Sequence, residues 1–306
     1  MGSISLNRIK KLGEKLIERA QKVSLPFFDG VPLYDVALFF WRSIVDGSIT
    51  TRASAIAFSF FIALFPGVIF LFTLIAHIRI ENFQEEVFIF IQQLVPDSTF
   101  QAIETTLEDI LNRPRGNLLS FGFFAALIFA TNGFASMMSA FDATVHSIYR
   151  RTWLSQRLTA VYMLIILSVL LTSAVTLMIG GQYVISYLDK KDIIRDDFLV
   201  YLLIVTKWII TVAMFFFAYS FLYYMAPAKK TKWRFISAGG TLATLLSIVA
   251  FIGFTFYINN FSQYNILYGS IGTLLIILFL MYLMSLILLI GFELNASIYQ
   301  AHMRDE

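Results

Sequence analysis

Between Phe235 and Phe292 the chain runs for 58 residues without one Asp, Glu, Lys or Arg. A membrane-spanning α-helix needs roughly 20 mostly apolar residues. This run is too long for one span and long enough for two. The polar cluster Asn259, Asn260, Ser262, Gln263, Tyr264 and Asn265 divides it. Ala53 to Ala76, Asn117 to Phe141 and Leu158 to Leu188 are also free of charge, and Phe198 to Ala228 carries only Lys207. Backbone groups in hydrocarbon must be satisfied within a helix or a closed barrel. Barrel strands alternate over about ten residues, and these runs do not alternate. The sequence therefore predicts an all-α polytopic membrane bundle of about six spans: 53–77, 118–146, 158–184, 198–225, 235–258 and 269–296.

Composition agrees. The chain is 58% hydrophobic and 14% charged, against about 45–50% and about 25% in soluble domains. With no Cys, disulfides, thiolate nucleophiles and Cys-based zinc sites are excluded. Residues 1 to 25 form a basic amphipathic stretch without a continuous apolar core, so targeting is expected through the first span rather than a cleaved leader.

Orientation follows from Lys and Arg in the loops. The N-terminal region, the loops after spans two and four, and the tail carry sixteen, from Arg8 to Arg304. The other side carries six: Arg79, Arg113, Arg115, Lys190, Lys191 and Arg195. Both termini are expected in the cytoplasm, as an N-terminal region 1–50 and a short tail 301–306 around the membrane domain 51–300. Within the former, Leu33, Val36, Ala37, Phe40, Trp41 and Ile44 recur at helical spacing and predict a helix in the cytoplasmic interface. The outer segment 80–116 carries seven acids among apolar positions. Pro96 is expected to split it into two amphipathic helices that cap the bundle or rest on headgroups.

Ionisable residues inside a span are costly and mark candidate sites. Lys207 lies about 13 Å deep from the outer side, at 1.5 Å per residue. It would meet an anionic group, or bond a helix carbonyl and reach back to the interface. Asp142 and His146, four apart, share a face near the inner end of span two, which reads as an interfacial polar patch or, for Asp142 with Glu293, as part of an inner gate. Glu293 and Asn295 lie near the inner end of span six, with Arg52 on the same side. A contact of Glu293 with Arg52 or Arg150 reads as an inner gate or a structural lock. Asn132, mid-span, is expected to bond across to another helix. Pro66-Gly67 predicts a kink in span one. The run Gly269-Ser270-Ile271-Gly272 permits close helix contact.

Several chemistries are absent. No phosphate loop, dinucleotide fingerprint, nucleophile elbow or HExxH motif occurs, so no cofactor is expected. The three histidines, 77, 146 and 302, fall on opposite sides by topology, so they hold no metal together. The net charge of +3 lies in loops and does not predict a nucleic-acid partner. Membrane lipids are the expected partners, and no feature sets an oligomeric state. The pairs Arg150-Arg151-Thr152-Trp153 and Lys229-Lys230-Thr231-Lys232-Trp233 hint at a repeated hairpin, although basic hairpins also follow from topology alone.

Ser54-Ala55-Ile56-Ala57-Phe58-Ser59-Phe60-Phe61-Ile62-Ala63-Leu64-Phe65-Pro66 resembles the first-span signature of the YihY/virulence factor BrkB family. Ala140-Phe141 with Tyr149, Tyr268-Gly269-Ser270-Ile271-Gly272 and Gly291-Phe292-Glu293-Leu294-Asn295-Ala296 are similar to its later signatures. The chain has Asp142 where members commonly carry Asn, and Phe292 where they commonly carry Ala. The resemblance implies a six-span bacterial inner-membrane protein and brings no settled activity. Members have been labelled ribonuclease BN, yet no clustered metal site or acid–base pair in a basic groove is visible here. The leading expectation is a transporter of a lipid or another amphipathic or anionic substrate. The alternative is a non-catalytic scaffold or envelope-integrity factor. An embedded lipid-modifying enzyme and a nuclease rank lower.

Overall fold

The computed structural model describes residues 23–24, 27–28, 30–46, 48–77, 104, 116–144, 151–190, 197–228, 236–260 and 270–305. The N-terminal stretch 1–22, most of the segment 80–116, His146, Arg150 and the divider 261–269 lie outside the described residues. Seven helices follow in order: α1 (Leu33–Asp46), α2 (Ile49–His77), α3 (Gly116–Thr144), α4 (Trp153–Lys190), α5 (Asp197–Met225), α6 (Ala238–Asn260) and α7 (Ser270–Asp305). No strand occurs among them. Helices α2 to α7 each contain a stretch long and apolar enough to cross a membrane. The protein is a six-span helical membrane bundle, with α1 ahead of it among the described residues.

Local chemistry sets the helix ends. Thr152 caps α4, its hydroxyl accepting from Ser155 N at 3.4 Å. Ser237 caps α6, accepting from Gly240 N at 3.1 Å. Each hydroxyl satisfies an amide that the first turn leaves open. Pro227 follows the end of α5, where a residue without an amide proton cannot continue the ladder. Within the spans, hydroxyls fold back on their own helix. Thr73 donates to Ile69 O at 2.7 Å, and Ser285 to Met281 O at 2.7 Å. A polar side chain in an apolar span is thereby satisfied locally.

Each spanning helix packs on the next in sequence, and α7 closes the ring against α2. Helix α7 also touches α3 and carries α1. Near-continuous apolar helices leave contact shape to small residues. A Cβ on Gly239 would come within 1.9 Å of the Gly291 carbonyl, and one on Gly291 within 2.3 Å of the Tyr223 hydroxyl. The two glycines therefore let the backbones of α6 and α7 meet. Gly133 makes room for the Phe60 ring, which stands edge-on to Phe134 at 5.2 Å.

The buried core lies at the end that bears α1 and the C-terminal turns of α7. It gathers Ile56 of α2, Met137 and Phe141 of α3, Met163 of α4, Tyr223 of α5, Ala243 of α6 and Leu289 of α7. Phe141 and Phe292 stack in parallel at 4.0 Å. Away from this core, Leu171 to Ser173, Trp208 to Ile210 and Thr255 to Tyr257 are exposed in consecutive triplets on α4, α5 and α6.

Helix α1 occurs where its periodicity predicts it, but its apolar face meets protein. Val36 is buried with Phe28, Val31, Ala238, Ile298 and Ala301. Trp41 and Val45 on the far side remain exposed. Helix α7 extends well past the expected end of its span, to Asp305, and this extension gives α1 its seat. Pro66 lies inside α2 and is buried.

The glycine contact yields a test. Gly239→Ala places a methyl against backbone that cannot rotate away, and overpacking of this kind costs about 1–3 kcal/mol. Thermal unfolding of the purified protein should show the loss, whereas Gly253→Ala, where nothing lies within 4 Å, should be neutral or slightly stabilising.

Candidate functional site

Glu293 sits on α7, is completely buried and carries a carboxylate. Its partners come from three other helices. Arg52 of α2 donates from Nη2 to Oε1 at 2.5 Å. Thr144 of α3 donates to the same oxygen at 2.7 Å. Ser43 of α1 donates to Oε2. Arg52 also donates from Nη1 to Thr144 Oγ1 at 2.6 Å and to the Ala140 carbonyl at 2.8 Å. Arg52 Nε is buried without a hydrogen-bond partner among the described residues.

The helices set these positions by simple periodicity. Ala140 and Thr144 are one turn apart on α3, so a carbonyl and a hydroxyl face the same guanidinium. Arg52 lies in the first turn of α2, where its stem runs along the packed end of the bundle. The planar guanidinium bonds the carboxylate, a hydroxyl and a carbonyl together, which an ammonium could not match in one plane. Isolated charges out of water are strongly penalised. A buried pair holds only when its geometry and remaining hydrogen bonds are good. Here both carboxylate oxygens are occupied.

Asp142 belongs to a second cluster. Two residues from Thr144 on a helix is a turn of 200°, so Asp142 faces away from Glu293 and towards α5. Its Oδ1 accepts from Ala228 N at 2.7 Å. Arg151 lies alongside, donating to the carbonyls of Met225, Ala226 and Pro227 at 3.1, 3.2 and 2.7 Å. A cation on the last carbonyls of α5 meets the negative end of that helix. Burial lowers the Arg151 pKa, the nearby Asp142 charge acts in the opposite direction, and the group stays protonated at neutral pH. Asn295 serves a third junction, accepting from Gly239 N at 2.8 Å and donating to Ser237 Oγ at 3.1 Å.

The structure thus brings Arg52 and Glu293 together and places Asp142 elsewhere. Asn132, expected to bond across, is partly exposed and makes no hydrogen bond among the described residues. Lys207 lies on α5, and its side chain is outside what is described. Pro66 and Gly67 lie on α2, away from the ion pair. Ser43, Thr144 and Arg151 were not singled out by the sequence. Hydroxyl residues have no period that marks a partner, and Arg151 sits in a loop whose positive charges topology already accounts for.

A family model described as Virulence factor BrkB matches residues 40–306. The chain belongs to the BrkB family. The match takes in Ser43, Arg52, Thr144 and Glu293 of the first cluster and Asp142 and Arg151 of the second. Among relatives, this BrkB-family chain is 28% identical over 250 residues to a ribonuclease-like protein, YfkH, of Bacillus subtilis, covering 82% of this chain and 90% of that one. It is 26% identical over 229 residues to the UPF0761 membrane protein IL2447 of Idiomarina loihiensis, covering 74% and 75%. It is 26% identical over 266 residues to the UPF0761 membrane protein VSAL_I2938 of Aliivibrio salmonicida, covering 85% and 82%. No solved structure matches the chain. These names and the six apolar helices make it a multi-pass membrane protein.

Removing one partner of a buried pair strands the other and costs about 3–5 kcal/mol. Glu293→Ala should therefore lower unfolding free energy by about 3 kcal/mol in denaturant titrations of the purified protein. Arg52→Met combined with Glu293→Leu should recover more than half of the loss. Equal losses in the single and double variants would contradict a coupled pair.

Proposed function

We propose that this protein is a transporter of a lipid or another amphipathic, anionic substrate in the bacterial inner membrane. In this reading both termini are cytoplasmic, as the sixteen-to-six distribution of Lys and Arg favours. The observation that carries the proposal is the buried Arg52–Glu293 pair, which ties α1, α2, α3 and α7 together at one end. A bundle joined at one end by an exchangeable charge pair has the form expected of a closed gate in alternating access.

Glu293 and Arg52 form the inner gate. The pair suits that role because its partners are exchangeable: Thr144, Ser43 and the Ala140 carbonyl can each hold one member when the other departs. Asp142, with Arg151, anchors the end of α5 beside the gate rather than forming it. Lys207, on α5, receives the anionic group from the outer side. The kink expected at Pro66 lets the outer half of α2 move independently of its anchored inner end.

The reading is tested in liposomes with dithionite quenching of NBD-labelled phosphatidylglycerol, and NBD-labelled phosphatidylcholine for comparison. Wild type should move the anionic lipid faster than empty liposomes do. Glu293→Gln and Lys207→Ala should each change the rate by about tenfold, the effect of roughly 1.4 kcal/mol, with the fold retained by circular dichroism. Unchanged flux in both variants would remove these roles. No flux in wild type, with a stoichiometric protein partner on purification, would favour the scaffold instead.

A further inference from the structure

The side of α3 opposite Glu293 has its own organisation. Phe121, Phe124, Ile128, Thr131, Ala135 and Ser139 fall in one arc at 100° per residue. Helix α4 covers the part of this arc nearer the packed end. Gln156 Nε2 donates to the Ala135 carbonyl at 3.4 Å and to Ser139 Oγ at 3.5 Å. Arg157 Nη1 donates to the buried Thr131 hydroxyl at 3.3 Å. Beyond Thr131 the arc is uncovered: Ile128, Phe124 and Phe121 are 55%, 60% and 67% exposed. An exposed apolar strip of α3 therefore begins next to Arg157. Its far end, at Phe121, borders a surface cavity of about 610 Å³ lined by Gly116, Asn117, Leu118 and Phe121.

Arg157 has no anionic partner among the described residues. It touches the Thr131 hydroxyl and lies 5.9 Å from the Trp153 ring. The Thr131 hydroxyl is itself directed at the carbonyls of Leu127 and Ile128, at 2.8 and 2.9 Å. A guanidinium offers five N–H donors, so most of its capacity stays open. Thr131 lies near the midpoint of α3, roughly 20 Å along the helix from Thr144. A cation at such a place in a span pairs with an anion or lines a polar route.

We propose that this strip of α3, with Arg157 at its head, binds an anionic phospholipid, with its phosphate on Arg157 and an acyl chain along Ile128, Phe124 and Phe121. Charge and shape select this occupant. The guanidinium matches a phosphodiester, and the apolar strip continues directly from it. A free inorganic anion would leave that strip bare. A zwitterionic lipid brings its own cation to the same place and is the poorer match. The site lies across α3 from the ion pair, so it goes beyond the transport reading and stands whether or not the protein moves lipid.

Native mass spectrometry on the full chain tests it. The protein is released from nanodiscs containing equal amounts of dioleoylphosphatidylglycerol and dioleoylphosphatidylcholine. Wild type should retain phosphatidylglycerol in preference to phosphatidylcholine by about fivefold, the effect of about one basic residue on anionic lipid. Arg157→Gln should abolish the preference, and Arg157→Lys should keep part of it. Ile128→Trp, which blocks the strip beside Thr131 and leaves the cation in place, should reduce retention of both lipids. Unchanged preference in Arg157→Gln would overturn the proposal. So would full retention in Ile128→Trp, because the lipid would then lie elsewhere. These outcomes are independent of flux, so failure here leaves the gate intact and failure of the gate leaves this site intact.

Discussion

A carboxylate removed from water inside a membrane bundle dictates much of this architecture. Glu293 is fully buried, and an ionised carboxyl in such surroundings is tolerated only with a matching charge and filled hydrogen bonds. Satisfying it draws in Arg52, Thr144 and Ser43. Each comes from a different helix, so satisfying one group fixes the mutual positions of α1, α2, α3 and α7. The apolar core follows from that registration. The neighbouring residue on α7, Phe292, stacks on Phe141 of α3 at 4.0 Å, and Tyr223 of α5 leans against both rings. Lipid tails give helices little hydrophobic reason to associate. Polar registration and close packing of small residues must supply the specificity instead.

Helix α3 distributes three kinds of contact around its circumference. Thr144 and Ala140 face the ion pair, Asp142 faces the end of α5, and Thr131 with Ser139 faces α4. The packed end is therefore fixed from several directions. Gly239 and Gly291 bring α6 against α7, and Asn295 bridges the same junction through backbone and Ser237. A bundle fixed at one end around a charge pair is suited to open there when that pair is exchanged. The transport proposal depends on this exchange.

The helices were legible in the sequence because a charge-free run of about 20 residues has few alternatives in a chain this apolar. The pairing of Arg52 with Glu293 was legible as one of two options, since topology puts both at the same end. What topology does not set is the rotation of each helix about its own axis. Asp142 looked like a gate residue because it shares a depth with Glu293, yet it lies 200° around α3 from Thr144 and serves α5. Asn132 looked like a cross-helix donor because it is polar and mid-span, but it is partly exposed and makes no hydrogen bond among the described residues. Ser43 escaped notice because α1 reads as an interfacial helix. Its seat is built by the extension of α7, and only the packed structure reveals that the apolar face of α1 meets protein.

The central claim is that the Arg52–Glu293 pair holds the packed end of the bundle shut. The chain has no cysteine, so spin labels can be placed without a background. Ala143→Cys on α3 and Gln300→Cys on α7 put labels at exposed positions on two of the helices that the pair joins. Their separation in nanodiscs is measured by double electron–electron resonance, with Glu293 intact and with Glu293→Gln. The account predicts one narrow distance population with the pair intact and a second, longer population when the charge is removed. Superimposable distributions would contradict it, because the packed end would then be held by apolar contacts alone.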